Sequence, residues 1–382
     1  MRVKSDSLAL ICAAFLAISA FSNCTKFPIG NLSETASAVL FYNMRGQSSI
    51  TSVSTPAAKF PRFAYVSNFA SHDISMFTIN QTTGVLTANG TIAAGTQPRD
   101  IVVDPGGKFA YTANNGSNNV SMFIINQATG VLTSNGAIAA SASTQGLAVD
   151  PTGKFLYAVD NGANSVSIYT INQTTGLLTA NGTIGTATSP LGVAVDPTGK
   201  FAYVANNGSN TVSMFTINQT TGALTGNGTI GCGSNPMSVG VDSTGKFAYV
   251  ANNSSNDISM FTINQTTGVL TSIGAIASGT GPGGLAIDPT GKFGFVANFN
   301  TNNISMYTIN QVTGVLTANG AAGAGSGPQG FAVEPGGKFA YATNGASNTV
   351  SMFTLNQTTG VLTANGSIAA GTNAIGIAIA YF

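Results

Sequence analysis

Apolar and polar positions alternate along residues 190–231 in four short runs, separated by turns rich in Gly, Asn and Thr. LGVAV (191–195) is apolar and ends in Asp196-Pro197-Thr198-Gly199, the residue order of a type I turn. In KFAYVAN (200–206), Phe201, Tyr203 and Ala205 alternate with Ala202, Val204 and Asn206, as a strand requires. TVSMFTI (211–217) sets Val212, Met214 and Thr216 against Ser213, Phe215 and Ile217. NQTTG then turns the chain, its Gly222 suited to positive φ, and ALTGNGTI (223–230) supplies a fourth strand. No window carries the 3.6-residue helical period. The stretch predicts a four-stranded antiparallel meander.

The meander is written seven times. Its Phe or Tyr recurs at 77, 123, 169, 215, 261, 307 and 353, always 46 residues apart and without an insertion. A sheet apolar on both faces must stack face to face with its copies, and radial stacking of four-stranded sheets gives a β-propeller. The aromatic columns headed by Phe63, Tyr65 and Phe77 are expected to pack blade against blade. The first copy begins at its second strand, Arg62-Phe63-Ala64-Tyr65, while the chain ends on Ile375-Gly376-Ile377-Ala378-Ile379, a first strand with no successor. The predicted fold is therefore all-β: a seven-bladed propeller of four-stranded antiparallel blades, closed by pairing the C-terminal strand with the N-terminal blade. Closure of that kind leaves no interior strand edge unpaired.

Composition narrows the function. Charged residues are 7% of the chain, hydrophobic residues 43% and the net charge +1, which leaves no basic footprint for nucleic acid. MRVK followed by LALICAAFLAISAF has the layout of a secretory signal, too short to span a bilayer comfortably. Cys24 at its end is similar to the lipidated cysteine of bacterial lipoproteins, although Phe21 and Asn23 depart from the usual box. The alternative is cleavage near Ala20, leaving Cys24 a free thiol. The expected organisation is a signal with lipobox-like Cys24 over 1–24, a linker over 25–61 and the propeller over 62–382, exported to the cell envelope and held at a membrane by the lipid. Cys232 fills a small-residue column (Ala94, Ala140, Thr186, Ser278, Ala324, Ala370), and the single histidine, His72, rules out a choice of catalytic partners.

YVANNGSNTVSMFTI resembles the YVTN-type propeller repeat. TINQTTGVLTANGTI, together with Gln97-Pro98-Arg99 and DPxGKFAYV, resembles the seven-bladed lactonase family that includes 6-phosphogluconolactonases, over residues 62–382. The resemblance implies an inner strand opening Pro-Arg-His. Here it reads Pro98-Arg99-Asp100, so the arginine is kept and the histidine replaced.

Asp104, Asp150, Asp196, Asp242, Asp288 and Glu334 recur in the first turn, each four residues before a lysine, which marks turn capping and solubility. One carboxylate per turn is too few oxygens for calcium, and no zinc or nucleotide motif is present, so neither metal nor cofactor is expected. The charges that break the repeat are His72, Asp73, Arg99, Asp100, Asp160 and Asp257. Arg99, Asp100, His72 and Asp160 are expected on one face over three neighbouring blades, as a candidate ligand site, whereas Asp257 fits drift of a polar column. Three readings stay open. One is a scaffold binding a protein, glycan or small molecule on the loop face. Another is a lactone hydrolase with Asp100 or His72 as base and Arg99 on the oxyanion. The last is a structural envelope protein.

Overall fold

Seven four-stranded antiparallel sheets surround a central axis in the structure, a computed structural model that describes residues 61–382. The signal, Cys24 and the linker expected before residue 61 lie outside the described residues. Blade 1 holds β1 (Pro61–Asn68), β2 (Asp73–Ile79) and β3 (Leu86–Ala93); blade 2 runs β4 (Pro98–Val103), β5 (Phe109–Asn114), β6 (Asn119–Ile125) and β7 (Leu132–Ala139). Blades 3 to 7 repeat this order from the innermost strands β8 (Thr144–Val149), β12 (Pro190–Val195), β16 (Pro236–Val241), β20 (Pro282–Ile287) and β24 (Pro328–Val333). The last strand, β28 (Ala374–Tyr381), becomes the innermost strand of blade 1 in the order β28-β1-β2-β3. Its register sets Ala64 against Ile379, Tyr65 against Ala378 and Val66 against Ile377. The closure read from the repeat is the one the structure contains.

The burial pattern explains why each strand has its composition. β5 is buried at every position, because both its faces meet another blade. β7, at the rim, is exposed at five of its eight positions. Between blades the aromatic columns do the packing. The Tyr203 hydroxyl donates to the Gly268 carbonyl at 2.8 Å, and Tyr341 closes the ring by donating to Gly84 at 2.8 Å. The glycine of each NQTTG turn is fixed twice over. Gly268 sits at φ +73, and a Cβ there would fall on the Phe201 ring of the preceding blade. The Asn-Gly found in six of the seven fourth strands is a bulge rather than a turn, and in blade 3 it aims Asn181 Nδ2 at the Thr221 carbonyl of the next blade, 2.6 Å away.

The repeated acidic turns behave as caps. Asp196 Oδ1 accepts from the amides of Lys200 and Phe201, both at 2.7 Å, and Oδ2 accepts from Thr198 N at 3.0 Å. The carboxylate is buried and the Lys200 side chain exposed, so the pair is a backbone cap beside a solvated cation. These turns end the innermost strands on one face. The opposite face gathers the starts of the innermost strands and the loops between second and third strands.

Candidate functional site

Where the innermost strands begin, fourteen residues in two tiers line an axial cavity of about 300 Å³. The upper tier is one column of the repeat: Arg99, Gln145, Leu191, Met237, Gly283, Gln329 and Ile375. It holds six residue types in seven copies, in a chain whose framework columns barely change. The column that faces the cavity is among the most variable of the repeat.

The lower tier is Asp100, Gly146, Gly192, Ser238, Gly284, Gly330 and Gly376. Convergence of the innermost strands dictates the glycines. A Cβ on Gly192 would lie 2.8 Å from the Met237 carbonyl oxygen, and one on Gly376 2.6 Å from that of Arg99. The two exceptions turn the crowding into bonds. Ser238 donates its hydroxyl to the Gly283 carbonyl of the next blade. Asp100 takes the Leu147 amide of blade 3 on Oδ2 at 2.9 Å and its neighbour Ile101 N on Oδ1 at 2.9 Å.

Electrostatically the site rests on two adjacent residues of β4. Burial pushes the Asp100 carboxyl up to about 6, against the opposing pull of the Leu147 and Ile101 amides and of Arg99. Burial also lowers the Arg99 guanidinium below its usual range, with Asp100 acting in the other direction. The guanidinium lies over the Phe69 ring, 5.8 Å from its centroid. Among the described residues it makes no ion pair and no side-chain hydrogen bond. Each Asp100 oxygen accepts one amide and keeps a lone pair. A cation with open donors therefore stands beside a carboxyl poised near neutrality.

His72 and Asp160 are placed differently from the expectation of one shared site. His72 sits at φ 60, and its Nδ1 accepts the Gln97 amide at 3.0 Å. Asn164 and Asn210 do the same in other blades with their side-chain oxygens, on Ser189 N at 2.7 Å and Asn235 N at 2.8 Å. The imidazole is a stand-in for asparagine in a left-handed turn, and it does not line the cavity. Asp160 is fully buried at the end of its strand (Phe155–Asp160) and accepts Thr144 Oγ1 at 2.9 Å and Ser167 Oγ at 2.6 Å. It fills a column of asparagines, with Thr144 supplied where most copies have Pro. Its burial raises its pKa against those hydrogen bonds. Asp73 and Asp257 likewise accept from Asn68 and Asn252 of their own blades, at 2.6 and 2.7 Å. Arg99 and Asp100 alone of the four candidates meet at the cavity.

Sequence reading passed over Gln145, Phe69 and Phe299. In blades 3, 4 and 5, Asn161, Asn207 and Asn253 donate to Pro190, Pro236 and Pro282 of the following inner strand. Phe69 and Phe299 replace that asparagine and give up the bridge: Phe299 presents its ring at the mouth, and Phe69 sets its ring under the Arg99 guanidinium. Cys232 offers no nucleophile: burial, then Asp257, pushes its thiol up to about 12. Among the described residues no three His, Cys, Asp or Glu side chains gather as a metal group, and no helix is long and apolar enough to cross a membrane.

Solved structures share this architecture. A candidate 6-phosphogluconolactonase from Bacteroides fragilis is 24% identical, covering 85% of this chain and 99% of its own, with a TM-score of 0.75. A second, from Bacteroides uniformis, is 21% identical over 84% of this chain and 99% of its own, at 0.76. The periplasmic gluconolactonase of Pseudomonas aeruginosa is 16% identical over 84% and 99%, at 0.75. At such identities the likeness establishes the fold. Among curated proteins none matches the chain by sequence. The family model described as "Lactonase, 7-bladed beta-propeller" matches residues 57–145, 135–241 and 229–327, so the chain belongs to the seven-bladed propeller lactonase family.

Proposed function

We propose that the axial mouth hydrolyses a lactone, with Asp100 as general base and Arg99 stabilising the oxyanion. The observation that carries this reading is the open Arg99 guanidinium next to a carboxyl held near 6. Asp100 is ionised at neutral pH and takes a proton from a water that adds to the lactone carbonyl carbon. Charge builds on the carbonyl oxygen, where Arg99 donates. The ring C–O bond then breaks, the ring oxygen takes up a proton, and the product is a hydroxy acid. A base must be ionised, so kcat/KM should fall as pH drops through about 6. The full chain is to be assayed against a lactone panel including gluconolactone, with spontaneous opening subtracted. Arg99→Gln should lower kcat about 10²- to 10³-fold. Asp100→Asn should lower it at least about 10²-fold and remove the acidic limb. Rates equal to buffer, or unaffected by both changes, would overturn the assignment.

A binding scaffold is the second reading, favoured by Leu191, Met237, Phe299 and Ile375, which give the mouth apolar walls suited to holding a ligand without turnover. With either reading goes the expectation of export and a lipid on Cys24, in keeping with the periplasmic Pseudomonas neighbour. Cys24→Ala should abolish labelling by a fatty-acid probe and move the protein from the membrane to the soluble fraction. Unchanged labelling would sink the anchor.

A further inference from the structure

Gln145 stands next to Arg99 in the upper tier, one blade along. Its side chain is only 8% exposed, and its Oε1 is buried without a hydrogen-bond partner. Among the described residues neither end of the amide is bonded within the protein. Leaving a buried amide unpaired costs more than a made bond returns, so an amide nitrogen with no internal acceptor at a cavity wall points to a ligand oxygen that receives its hydrogens. Together, the Arg99 guanidinium and the Gln145 Nε2 give one end of the cavity several open donors, suited to a ligand oxygen that accepts.

The opposite end is built in the opposite sense. In a ring of seven, the blades across from blade 2 are blades 5 and 6, which contribute Met237 and Gly283, with Phe299 on the loop beside them. Gly283 is the one upper-tier position without a side chain. The backbone does not demand this: a Cβ there would meet the Gln329 carbonyl oxygen at an ordinary 3.6 Å. The missing side chain widens the apolar end between a thioether and an aromatic ring. Such walls accept alkyl groups, and the polar side chains of blade 5 beside them are already engaged, Asn253 Nδ2 on the Pro282 carbonyl and the Ser238 hydroxyl on that of Gly283.

We infer that the mouth takes an amphiphilic ligand, its carbonyl or carboxylate held by Arg99 and Gln145 and a short alkyl substituent lodged against Met237, Gly283 and Phe299. Resting on the proposed hydrolysis, this makes the substrate class neutral lactones that carry an alkyl chain. A phosphorylated sugar lactone fits poorly, because the lining offers a single guanidinium beside a carboxylate and no second cation for a dianion. An engineered cavity of about 150 Å³ holds benzene. The 300 Å³ here suits a lactone ring with a chain of about four to six carbons.

Straight-chain alkanoates from propanoate to octanoate, which cannot be hydrolysed, test the inference by calorimetry on the full chain. Affinity should rise about three- to fourfold per methylene until the cavity is full. Gly283→Leu should flatten that rise. Gln145→Leu should weaken every alkanoate by about tenfold while keeping the rise, and Gln145→Asn, which keeps an amide but withdraws it, should weaken them too. Melting temperatures near wild type confirm that the variants are folded. Affinity flat with chain length overturns the apolar end, and Gln145 variants that bind like wild type overturn the polar end. Gluconolactone hydrolysis with flat alkanoate binding would sink this inference and leave the catalytic reading. Chain-dependent binding with no lactone turnover would do the reverse.

Discussion

Deletion of residues 374–382 is expected to leave a protein that no longer unfolds cooperatively and is largely insoluble. The segment is β28, which supplies the innermost strand of blade 1 and joins the two ends of the ring. Without it, β1 presents unpaired amides and carbonyls at Ala64, Tyr65 and Val66, all fully buried in the intact ring. An apolar edge so exposed templates association between chains. The cavity also loses Ile375 and Gly376 from its wall. The cost should exceed about 5 kcal/mol, comparable with the whole stability of many domains. Thermal unfolding followed by circular dichroism checks this, and a synthetic peptide of residues 374–382 added during refolding should restore part of the transition by strand addition. A truncated chain that melts like the full one would mean that β28 does not hold the ring shut.

Gly283 and Gly284 are neighbours on β20, and alanine should be nearly harmless at one and severe at the other. At Gly284 the new methyl would fall on the Gln329 carbonyl oxygen and lie 3.0 Å from Gly330 Cα and from Phe331 N. All three belong to the backbone of the next inner strand, which cannot yield without spreading the ring. Overpacking against backbone at this site should cost about 3 kcal/mol or more. At Gly283 the same methyl has ordinary contact distances, and its effect should stay within about 1 kcal/mol of zero. Denaturant melts of the two variants side by side decide the matter, and equal midpoints would contradict the close approach of innermost strands.

The fold was legible because a period leaves few solutions. Four apolar runs per 46 residues, a leading copy that lacks its first strand and a trailing strand with no successor fix both the blade and its closure. The site was legible only where charge and position coincide, at Arg99 and Asp100. His72 and Asp160 carry equal novelty as letters, yet each replaces an asparagine hydrogen bond of the framework, His72 on the connection to blade 2 and Asp160 within blade 3. A one-letter departure does not reveal whether a side chain faces a turn or a cavity. Gln145, Phe69 and Phe299 were overlooked because they are uncharged. Their signal lay in columns, since the position of Arg99 passes through six residue types in seven copies while the position after it is Gly in five of seven.

That sameness has a kinetic consequence. During folding, the first strand of each copy meets second strands that are almost identical, at separations of 46, 92 or 138 residues along the chain. A mispaired blade would satisfy nearly every local preference, so the barrier against it comes from the few contacts that differ between copies: Asp100 on Leu147, Thr144 on Asp160, Ser238 on Gly283. Repeat chains of this sort are prone to misassembly and exchange of elements between molecules. Asp100 and Ser238, which shape the mouth, thus also act as registration marks together with buried Asp160, and a chain with all seven blades made identical should refold more slowly, through long-lived rings closed at the wrong strand.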